Sequence, residues 1–379
     1  MSLLLFLTVF ALVACLGTLA MTLWNLSGYR EPASPASGAR PSVAVCIPAR
    51  DEESNIRACV ESALAQRGAD VEVMVYDDES SDRTPEILAE LRAGDDRVRP
   101  VARRPLPEGW AGKQHACHRA GEAATADWVL FTDADVRLHP DAAALAIAHA
   151  ERTGCELVST FPRQITGTLA ELSMVPMMFF LLFSYLPMAR MRRTTEPQTC
   201  AGCGQFLLAR RTTYRELGGH EPFKASFHDG IKMPRTFRAA GHRTDLFDGT
   251  RLARVRMYRG LSETWRGFAK NAYEGLGSVG LLVFLTVLHA VGFVLPWIVL
   301  AGVAMGLVRS PVVGLFAAAA VLVAGVQRAV LAERFAHSYW LSLIHPLTIV
   351  FMTFVQWWSF VISLKRARTW RGRVLASAG

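Results

Sequence analysis

The stretch "VLFTDADVRL", Val129 to Leu138, places two carboxylates directly after an apolar run. The run Trp128–Phe131 is typical of a buried β-strand. Burying an isolated carboxylate is costly unless a cation or a hydrogen-bond donor meets it. Asp133 and Asp135, with one residue between them, therefore indicate that a cation binds at the end of this strand.

Two similar apolar runs lie upstream, and each is followed by a helical pattern. Val43–Ile47 precedes "ARDEESNIRACVESALAQ", whose apolar residues recur at helical spacing, and Val71–Tyr76 precedes an acidic loop and a helix from about Pro85. This alternation predicts an α/β fold with a mostly parallel sheet and helices on both faces. In such sheets the site lies at the carboxyl ends of the strands. The carboxylates that fall there are Asp51, Asp77, Asp78, Asp133 and Asp135.

Hard oxygen ligands of this kind suit Mg²⁺ or Mn²⁺, which bind through one or two carboxylates together with substrate phosphates. A metal that bridges a diphosphate neutralises the charge that develops on a departing nucleotide diphosphate. A D-x-D pair is by itself common, and Asp133 or Asp135 as a turn or capping carboxylate is the alternative.

The composition indicates a membrane protein. The chain has 379 residues, is 51% hydrophobic and carries a formal net charge of +8. A basic chain can bind nucleic acid, but no basic stripe with interleaved aromatic residues is present. Lys and Arg collected on the cytoplasmic side of a membrane give the same balance. We therefore predict membrane association and no nucleic-acid partner.

Apolar runs support this interpretation. Ser2–Leu23 is long enough to cross a bilayer and lacks the basic start of a secretory signal, so it predicts a retained anchor. Three later runs, Leu281–Val308, Val312–Val326 and Leu341–Leu364, predict a transmembrane helical region, with Gln327–Arg334 as a charged connection. Four full spans would place the basic tail outside if the central region is cytoplasmic. The number of spans and the side of the C-terminus stay open.

A shorter run, Met174–Met188, ends in the basic segment Arg190–Arg193. It predicts a helix in the headgroup layer or, equally, a buried helix of the globular domain.

Seven scattered cysteines are expected in a reducing compartment, and the lone pair Cys200 and Cys203 is a weak indication of zinc. The predicted organisation is an anchor at 1–25, a linker at 26–42, a catalytic domain at 43–277 with an interfacial helix at 174–190, transmembrane helices at 278–365 and a basic tail at 366–379.

The order of several motifs resembles that of the family 2 glycosyltransferases with a GT-A fold. The matching segments are "VCIPARDEESNI", "VMVYDDESSDRT", "GWAGKQHACHRAG", "VLFTDADVRLHP", "GCGQFLLARRTTYRELGGHEPF", "FHDGIKMPRTFRAAGH" and "WRGFAKNAYEG", between about Val43 and Gly275. The anchor, the "GWAGK" element and the late apolar runs are similar to the membrane-anchored subgroup of hopanoid-associated, carotenoid and ceramide glycosyltransferases. The resemblance implies a Rossmann-like GT-A catalytic domain.

The resemblance also implies roles for particular positions. Those assigned to the nucleotide and its phosphates are Pro48, Ala49, Glu52, Asp78 and Lys113, with Asp78 at the uracil ring. Asp133 and Asp135 match the D-x-D motif that holds the divalent metal. Arg50 and Asp51 depart from the aromatic residue and Asn that the family usually has.

The family's general base is the Asp of a Glu-Asp pair, which here reads His228-Asp229. The resemblance therefore implies that Asp229 removes the acceptor's proton in an inverting attack; a helix-capping carboxylate is the alternative. Arg266 and Lys270 of "WRGFAKN" would serve the leaving diphosphate or form an interfacial basic face. Gly202 and Gly204 would let the backbone approach the sugar or acceptor closely, or would be ordinary loop residues.

The predicted function is a membrane-bound, metal-dependent, inverting glycosyltransferase. It would move a sugar from a nucleotide-diphosphate sugar, most simply a UDP-sugar, to a membrane lipid acceptor, with its catalytic domain at the cytoplasmic face of a multi-pass chain. A polyprenyl-phosphate sugar synthase, a polysaccharide synthase of the same fold and a non-catalytic membrane assembly subunit are the alternatives. A polysaccharide synthase would carry a Q-x-x-R-W element, which the sequence lacks.

Overall fold

The computed structural model describes residues 2–34, 40–364, 369–370 and 373–374. The chain divides into two compact units. A helical unit comprises Met1–Gly28, Thr166–Pro187 and Tyr258–Lys365, and a sheet unit comprises Tyr29–Ile165, Met188–Met257 and Arg366–Gly379. Residues 166–187 and 258–277, which lie within the predicted catalytic segment 43–277, group with the apolar helices.

The sheet unit contains a mixed sheet of seven strands in the order β3-β2-β1-β4-β8-β6-β9 and a sheet of three strands in the order β5-β10-β7. The strands are β1 Ser42–Ala49, β2 Asp70–Asp77, β3 Val98–Pro100, β4 Trp128–Phe131, β5 Val136–Leu138, β6 Leu157–Ser159, β7 Arg163–Gln164, β8 Leu207–Arg210, β9 Thr244–Leu246 and β10 Ala253–Val255, with a small pair β11 Thr369–Trp370 and β12 Arg373–Val374. Strands β1 to β4 are mutually parallel, whereas β8 runs antiparallel to both β4 and β6. The predicted mostly parallel α/β sheet is confirmed.

Helices of the sheet unit cover both faces of the large sheet. They are α2 Ile56–Leu64, α3 Thr84–Gly94, α4 Gly112–Ala123, α5 Ala142–Thr153, α7 Met188–Arg193, α8 Arg211–Glu216 and α9 Asp229–Ala239, with a 3₁₀ turn at Glu221–Phe223. Along β1, Val43 and Val45 belong to one apolar core and Ala44 and Cys46 to the other. Burial on both faces explains why this strand reads as a continuous apolar run rather than an alternating one.

The register of the parallel strands brings their carboxyl ends to one edge. Ala49 at the end of β1 pairs with Asp77 at the end of β2, and Cys46 of β1 pairs with Phe131 at the end of β4. The loops beyond β1 and β2 are joined, since the Asp51 N–H donates to Ser80 Oγ at 3.0 Å. The predicted convergence of acidic residues at this edge follows from the register.

The helical unit contains α1 Leu3–Gly28, α6 Leu169–Tyr185, α10 Leu261–Leu276, α11 Val279–His289, α12 Leu295–Ala304, α13 Pro311–Phe335 and α14 His345–Leu364, with a 3₁₀ turn at Tyr339–Ser342. Helices α11 and α12 are continuous through one π-helical segment, Ala290–Val294. Pro296 follows this segment and cannot donate a backbone hydrogen bond, which accounts for the local widening. Four helical runs in the described part of the chain are long and apolar enough to cross a membrane: Leu3–Gly28, Val279–Ala304, Pro311–Phe335 and His345–Leu364.

The charged connection predicted at Gln327–Arg334 is wrong, because α13 continues through it to Phe335. Gln327 is fully buried and accepts from Thr18 Oγ1 at 3.1 Å. Its amide donates to Thr22 Oγ1 and Ser184 Oγ, each at 2.8 Å. Because neighbouring helices satisfy this polar group, the helix reaches 25 residues instead of ending at Val326.

Helix α6 groups with the apolar helices, where Phe180 and Phe183 are fully buried. Its start is capped by Thr168, whose Oγ1 accepts from the Glu171 N–H. Glu171 in turn accepts from the backbone N–H groups of Gly167 and Gly260, each at 2.7 Å. This buried carboxylate therefore ties the beginning of α6 to the beginning of α10.

Candidate active site

Lys113 lies between two carboxylates at the carboxyl edge of the large sheet. Its Nζ is 2.7 Å from Asp133 Oδ1 and 3.0 Å from Asp229 Oδ2. Lys113 belongs to the first turn of α4, Asp133 follows β4, and Asp229 begins α9. Three elements that are distant in sequence thus bring a predicted phosphate ligand, a predicted metal ligand and the predicted base into one ion-paired group.

The pKa values of this group reflect their mutual attraction. Burial lowers the pKa of Lys113, but the carboxylates of Asp133 and Asp229 outweigh it and hold that pKa well above its usual value. Burial raises the pKa of Asp229, but the attraction of Lys113 outweighs it and brings that pKa below its usual value. Asp229 is consequently ionised at neutral pH in spite of its burial.

Gly202 and Gly204 shape the position of Asp229. A Cβ on Gly204 would overlap the carboxylate of Asp229, and a Cβ on Gly202 would lie 2.8 Å from the carbonyl oxygen of Gly230. The Gly230 N–H donates to Asp229 Oδ1 at 2.8 Å. The two glycines of the "GCG" segment therefore leave the space in which the base candidate and the first turn of α9 are held.

Asp135, two residues after Asp133, forms no ion pair with Lys113, whose ion pairs with described residues are those to Asp133 and Asp229. Burial, together with the nearby carboxylates of Asp133 and Glu52, raises the pKa of Asp135 to about 7. Its Oδ1 is buried and has no hydrogen-bond partner among the described residues. A buried, partnerless oxygen beside two further carboxylates fits a cation, as the D-x-D pair predicts.

No group of three or more His, Cys, Asp or Glu side chains within the described ranges forms a metal site by itself. A divalent ion held here would therefore need ligands from elsewhere, and phosphate oxygens of a substrate are the usual ones for Mg²⁺.

The loop predicted to hold the nucleotide follows β1. Pro48 and Ala49 are the last residues of that strand and pair with Tyr76 and Asp77 of β2. The Glu52 N–H donates to Thr84 Oγ1 at 2.9 Å, which ties this loop to the start of α3.

Asp78, predicted at the uracil ring, is buried just beyond β2, and its carboxylate lies 3.6 Å from Arg50 Nη1. Asp77 instead pairs with Arg103. Arg50, which departs from the family pattern, thus contacts the predicted nucleotide-recognition residue directly.

His220 is a site residue for which the sequence analysis gave no role. It is fully buried, its Nδ1 is 2.8 Å from the Tyr214 hydroxyl, and its ring packs edge-on against Phe131 at 4.7 Å. Burial lowers the pKa of His220 to about 3, so the ring is neutral at neutral pH. Its place in the "GGHEPF" segment, close before Asp229, was the available signal.

The sequence also singles out Arg266, Lys270, Cys200 and Cys203. Arg266 and Lys270 lie on α10 in the helical unit, Arg266 exposed and Lys270 half-buried. Cys200 Sγ contacts the Pro197 carbonyl oxygen at 3.1 Å, and Cys203 Sγ lies 3.6 Å from Gln205 Oε1.

A mostly parallel α/β sheet with the D-x-D pair at its carboxyl edge is the GT-A arrangement that the motif resemblance implies. Residues 44–218 match the glycosyl transferase family 2, so the chain carries a domain of this family, and the resemblance inferred from its motifs is confirmed.

Relatives of known name agree with this assignment. The chain is 27% identical over 240 residues to the 4,4'-diaponeurosporenoate glycosyltransferase of Staphylococcus haemolyticus, covering 62% of each chain. It is 35% identical over 126 residues to the succinoglycan biosynthesis protein ExoO of Rhizobium meliloti, covering 32% of this chain and 34% of that one. The matched segments thus span about three fifths and one third of these relatives.

Among solved structures, the chain is similar to the mannosyltransferase PcManGT from Pyrobaculum calidifontis in complex with GDP-Man and Mn²⁺. The TM-score is 0.57 at 19% identity, covering 96% of this chain and 98% of that one. At this identity the likeness concerns the fold, which both chains share over nearly their whole length.

Proposed function

We propose that the protein is an inverting glycosyltransferase that moves a sugar from a nucleotide-diphosphate sugar, specifically a UDP-sugar, to a lipid acceptor at the cytoplasmic face of a membrane. The observation that carries this proposal is the ion-paired group of Lys113, Asp133 and Asp229 at the carboxyl edge of a GT-A sheet. In this group the positively charged Lys113, which is proposed to contact the diphosphate, lies against Asp133 of the D-x-D pair and against the candidate base Asp229.

Asp229 is the proposed general base. Its carboxylate is ionised at neutral pH and begins a helix, where Gly204 leaves room for it. An acceptor hydroxyl that approaches the Asp229 carboxylate would give its proton to it as the hydroxyl oxygen attacks the anomeric carbon and the bond from that carbon to the diphosphate oxygen breaks. A carboxyl acceptor, ionised at neutral pH, would attack without needing the base. Attack from the side opposite the diphosphate inverts the configuration at that carbon.

Lys113 is proposed to contact the diphosphate of the donor. In the structure its charge is neutralised by the two aspartates, and a diphosphate would offer it a third anionic partner. If Lys113 shifts toward the diphosphate, Asp229 loses part of the attraction that lowers its pKa and becomes a stronger base. Donor binding and activation of the base are thereby linked through one side chain.

Asp133 and Asp135 are proposed to hold Mg²⁺ or Mn²⁺, in keeping with the buried, partnerless Asp135 Oδ1. When bound, such an ion neutralises negative charge on the leaving nucleotide diphosphate. The Mn²⁺ named for PcManGT, whose fold is similar, supports this choice. On the nucleotide side, Asp78 and the loop after β1 are proposed to receive the base and ribose.

The lipid acceptor is supported by two observations. Four helices have the length and composition of membrane spans, which would hold an apolar acceptor in the bilayer. The name of the Staphylococcus haemolyticus relative gives 4,4'-diaponeurosporenoate, a carotenoid, as what that enzyme glycosylates.

Arg266 and Lys270, on the amphipathic helix α10, are proposed to serve the leaving diphosphate.

The experiment is UDP release from UDP-glucose by the detergent-solubilised full chain with Mn²⁺ and a membrane-lipid extract. Asp135→Ala and Asp229→Asn are the test variants, and Asp96→Asn, a change at an exposed carboxylate of the same unit, is the control. Lipid-stimulated release that is lost in both test variants and kept in the control supports the proposal. Mass analysis of the lipid product identifies the acceptor.

If UDP-glucose gives no release, the same series with other UDP-sugars and with GDP-mannose identifies the donor. Absence of both release and binding for all of these nucleotides, in a protein that remains folded, would overturn the assignment as an active transferase.

A further inference from the structure

Arg328 is a buried charge inside an apolar helical unit. It lies on α13 and is 4% exposed, and its one hydrogen bond to a described residue runs from Nη1 to the Pro176 carbonyl oxygen at a long 3.4 Å. Its Nε has no hydrogen-bond partner, and none of the ion pairs formed within the described ranges involves it. A guanidinium held in this way is costly unless something negative compensates it.

The contrast with the preceding residue is informative. Gln327 is just as buried, yet its amide oxygen and nitrogen are satisfied by Thr18, Thr22 and Ser184. The packing of α1, α6 and α13 therefore supplies partners for a neutral polar group at this depth. The same packing leaves the Nε of the adjacent Arg328 without an acceptor among the described residues.

Two buried histidines, His337 and His345, interact electrostatically with Arg328. Each has an Nε2 without a hydrogen-bond partner among the described residues. His345 packs edge-on against Phe180 at 5.0 Å and Phe293 at 5.5 Å. A cation and imidazole nitrogens, walled by phenyl rings, suit a ligand that is anionic at one end and apolar at the other.

The depth of Arg328 also fits such a ligand. It stands seven residues before Phe335, the last residue of α13, which corresponds to about 10 Å along the helix. The end of α1 is near, since Gln327 contacts Thr22 of that helix. A head group can reach this distance from a bilayer surface while its hydrocarbon chain stays among the apolar helices.

We propose that Arg328, with His345 beside it, binds the anionic head group, carboxylate or phosphate, of a membrane amphiphile. The proposal rests on the proposed function only in placing the helical unit in a bilayer. It gives Arg328 a counter-ion, which none of the residues at 2–34, 40–364, 369–370 and 373–374 supplies as an ion pair. Such an amphiphile is either a resident phospholipid or an acidic acceptor, and both share this chemistry.

The test compares unfolding temperatures of the full chain in nanodiscs of phosphatidylcholine alone and of phosphatidylcholine with phosphatidylglycerol. The variants are Arg328→Met, Arg328→Lys and, as a matched control, Arg309→Met, which removes an exposed arginine just before α13. Phosphatidylglycerol is expected to raise the unfolding temperature of the wild type, of Arg328→Lys and of the control, because a ligand that binds only the folded state stabilises it. Arg328→Met is expected to fold in both membranes and to lose this response.

Affinity is then measured by native mass spectrometry of lipid retained by the detergent-solubilised protein. Retention of phosphatidylglycerol is expected to fall about tenfold or more in Arg328→Met relative to the control, as for the loss of a buried charge-assisted hydrogen bond. Equal responses of Arg328→Met and Arg309→Met in both assays would overturn the proposal. Since neither assay involves sugar transfer, this outcome is distinguishable from a failure of the proposed function.

Three further probes separate the sources of the anion. Palmitate and phosphatidylglycerol are each expected to stabilise the wild type but not Arg328→Met, whereas hexadecanol, which has the same chain as palmitate without the charge, is expected to stabilise neither. Stabilisation by palmitate alone would assign the site to a carboxylate amphiphile such as an acidic acceptor. Equal stabilisation by inorganic phosphate and by the lipids would overturn the assignment to an amphiphile.

Discussion

Gly204 and Asp229 illustrate how a single missing side chain sets a candidate catalytic group. The space that a Cβ would take at Gly204 is filled by the carboxylate of Asp229, which also accepts from the Gly230 N–H. The sequence predicts that Gly204 lets the backbone approach the sugar or acceptor closely, or that it is an ordinary loop residue. In the structure its neighbour is the Asp229 carboxylate, so we expect Gly204 to affect sugar transfer by fixing the position of the candidate base.

Gly204→Ala tests this relation. The added methyl group must displace the Asp229 carboxylate, and a misplacement of about 1 Å at a reacting group costs roughly 10²-fold in rate. We expect UDP release to fall by about that factor while the unfolding temperature changes little. Gly94→Ala, at the exposed end of α3 with open space around it, is the control and should leave release unchanged. UDP release at the wild-type rate by Gly204→Ala would show that Gly204 does not control the position of Asp229.

Lys113→Met tests the electrostatic coupling at the same site. Burial raises the pKa of Asp229 and Lys113 lowers it, so removing the lysine leaves burial dominant and the pKa rises. The acid limb of the pH–rate profile is therefore expected to move to higher pH, and the plateau rate to fall about 10²-fold with the lost diphosphate contact. Lys113→Arg keeps the charge and should keep the limb near its original position. An unshifted acid limb in Lys113→Met would argue against Asp229 as the titrating base.

At the scale of elements, a buried ion-paired group joins β9 to two helices of the sheet unit. Asp245 on β9 lies 3.0 Å from His149 Nε2 on α5 and 2.9 Å from Arg192 Nε on α7. Burial raises the pKa of Asp245, but its hydrogen bond from His149 and the charge of Arg192 outweigh it and lower that pKa. A carboxylate with a lowered folded-state pKa stabilises the fold above its unfolded pKa, and this contribution is lost as the pH falls through the folded value.

Asp245→Asn is expected to lower the free energy of unfolding by about 3 kcal/mol at neutral pH, because it leaves the half-buried Arg192 without its counter-ion and the buried His149 without its carboxylate partner. The difference from wild type should shrink below about pH 4, where the wild-type carboxylate also takes up a proton. Thermal unfolding of the solubilised protein at several pH values measures both effects. Asp141→Asn, which removes an exposed pair with His139, should change stability by less than about 1 kcal/mol. A pH-independent difference for Asp245→Asn would contradict the electrostatic explanation.

The elements were predictable from sequence wherever a local pattern suffices. Strands β1, β2 and β4 are apolar because both of their faces are buried, and parallel pairing then places Asp77 and Asp133 at one edge. The pairing of Lys113 with Asp229 was not predictable, since it depends on where α4 and α9 begin relative to the sheet. The charged segment from Gln327 was misread as a connection because its partners, Thr18 and Thr22, lie on a helix at the other end of the chain.

At the scale of the whole molecule, the order of apolar helices sets the sides of the membrane. The sheet unit begins at Tyr29, directly after α1. Its segment Met188–Met257 is followed along the chain by α10 and then by the apolar run Val279–Ala304, which comprises α11, the π-helical segment and α12. If α1 and the 26-residue run Val279–Ala304 both cross the bilayer, the short segment between α12 and α13 lies on the side opposite the sheet unit. This conclusion does not depend on whether α14 also crosses, which the basic tail leaves open.

Cysteine labelling in intact cells tests that arrangement. Arg309→Cys, in the exposed segment before α13, is expected to react with a membrane-impermeant maleimide added outside the cells. Asp96→Cys, at an exposed position of the sheet unit, is expected to react only after the cells are permeabilised. Six of the seven native cysteines are buried and Cys203 is half-buried on the sheet unit, so the wild type should label weakly from outside and serves as the background. Labelling of Asp96→Cys in intact cells would place the sheet unit outside the cell and contradict a cytoplasmic supply of UDP-sugar. Protection of both introduced cysteines until the cells are permeabilised would show that Val279–Ala304 does not cross the membrane.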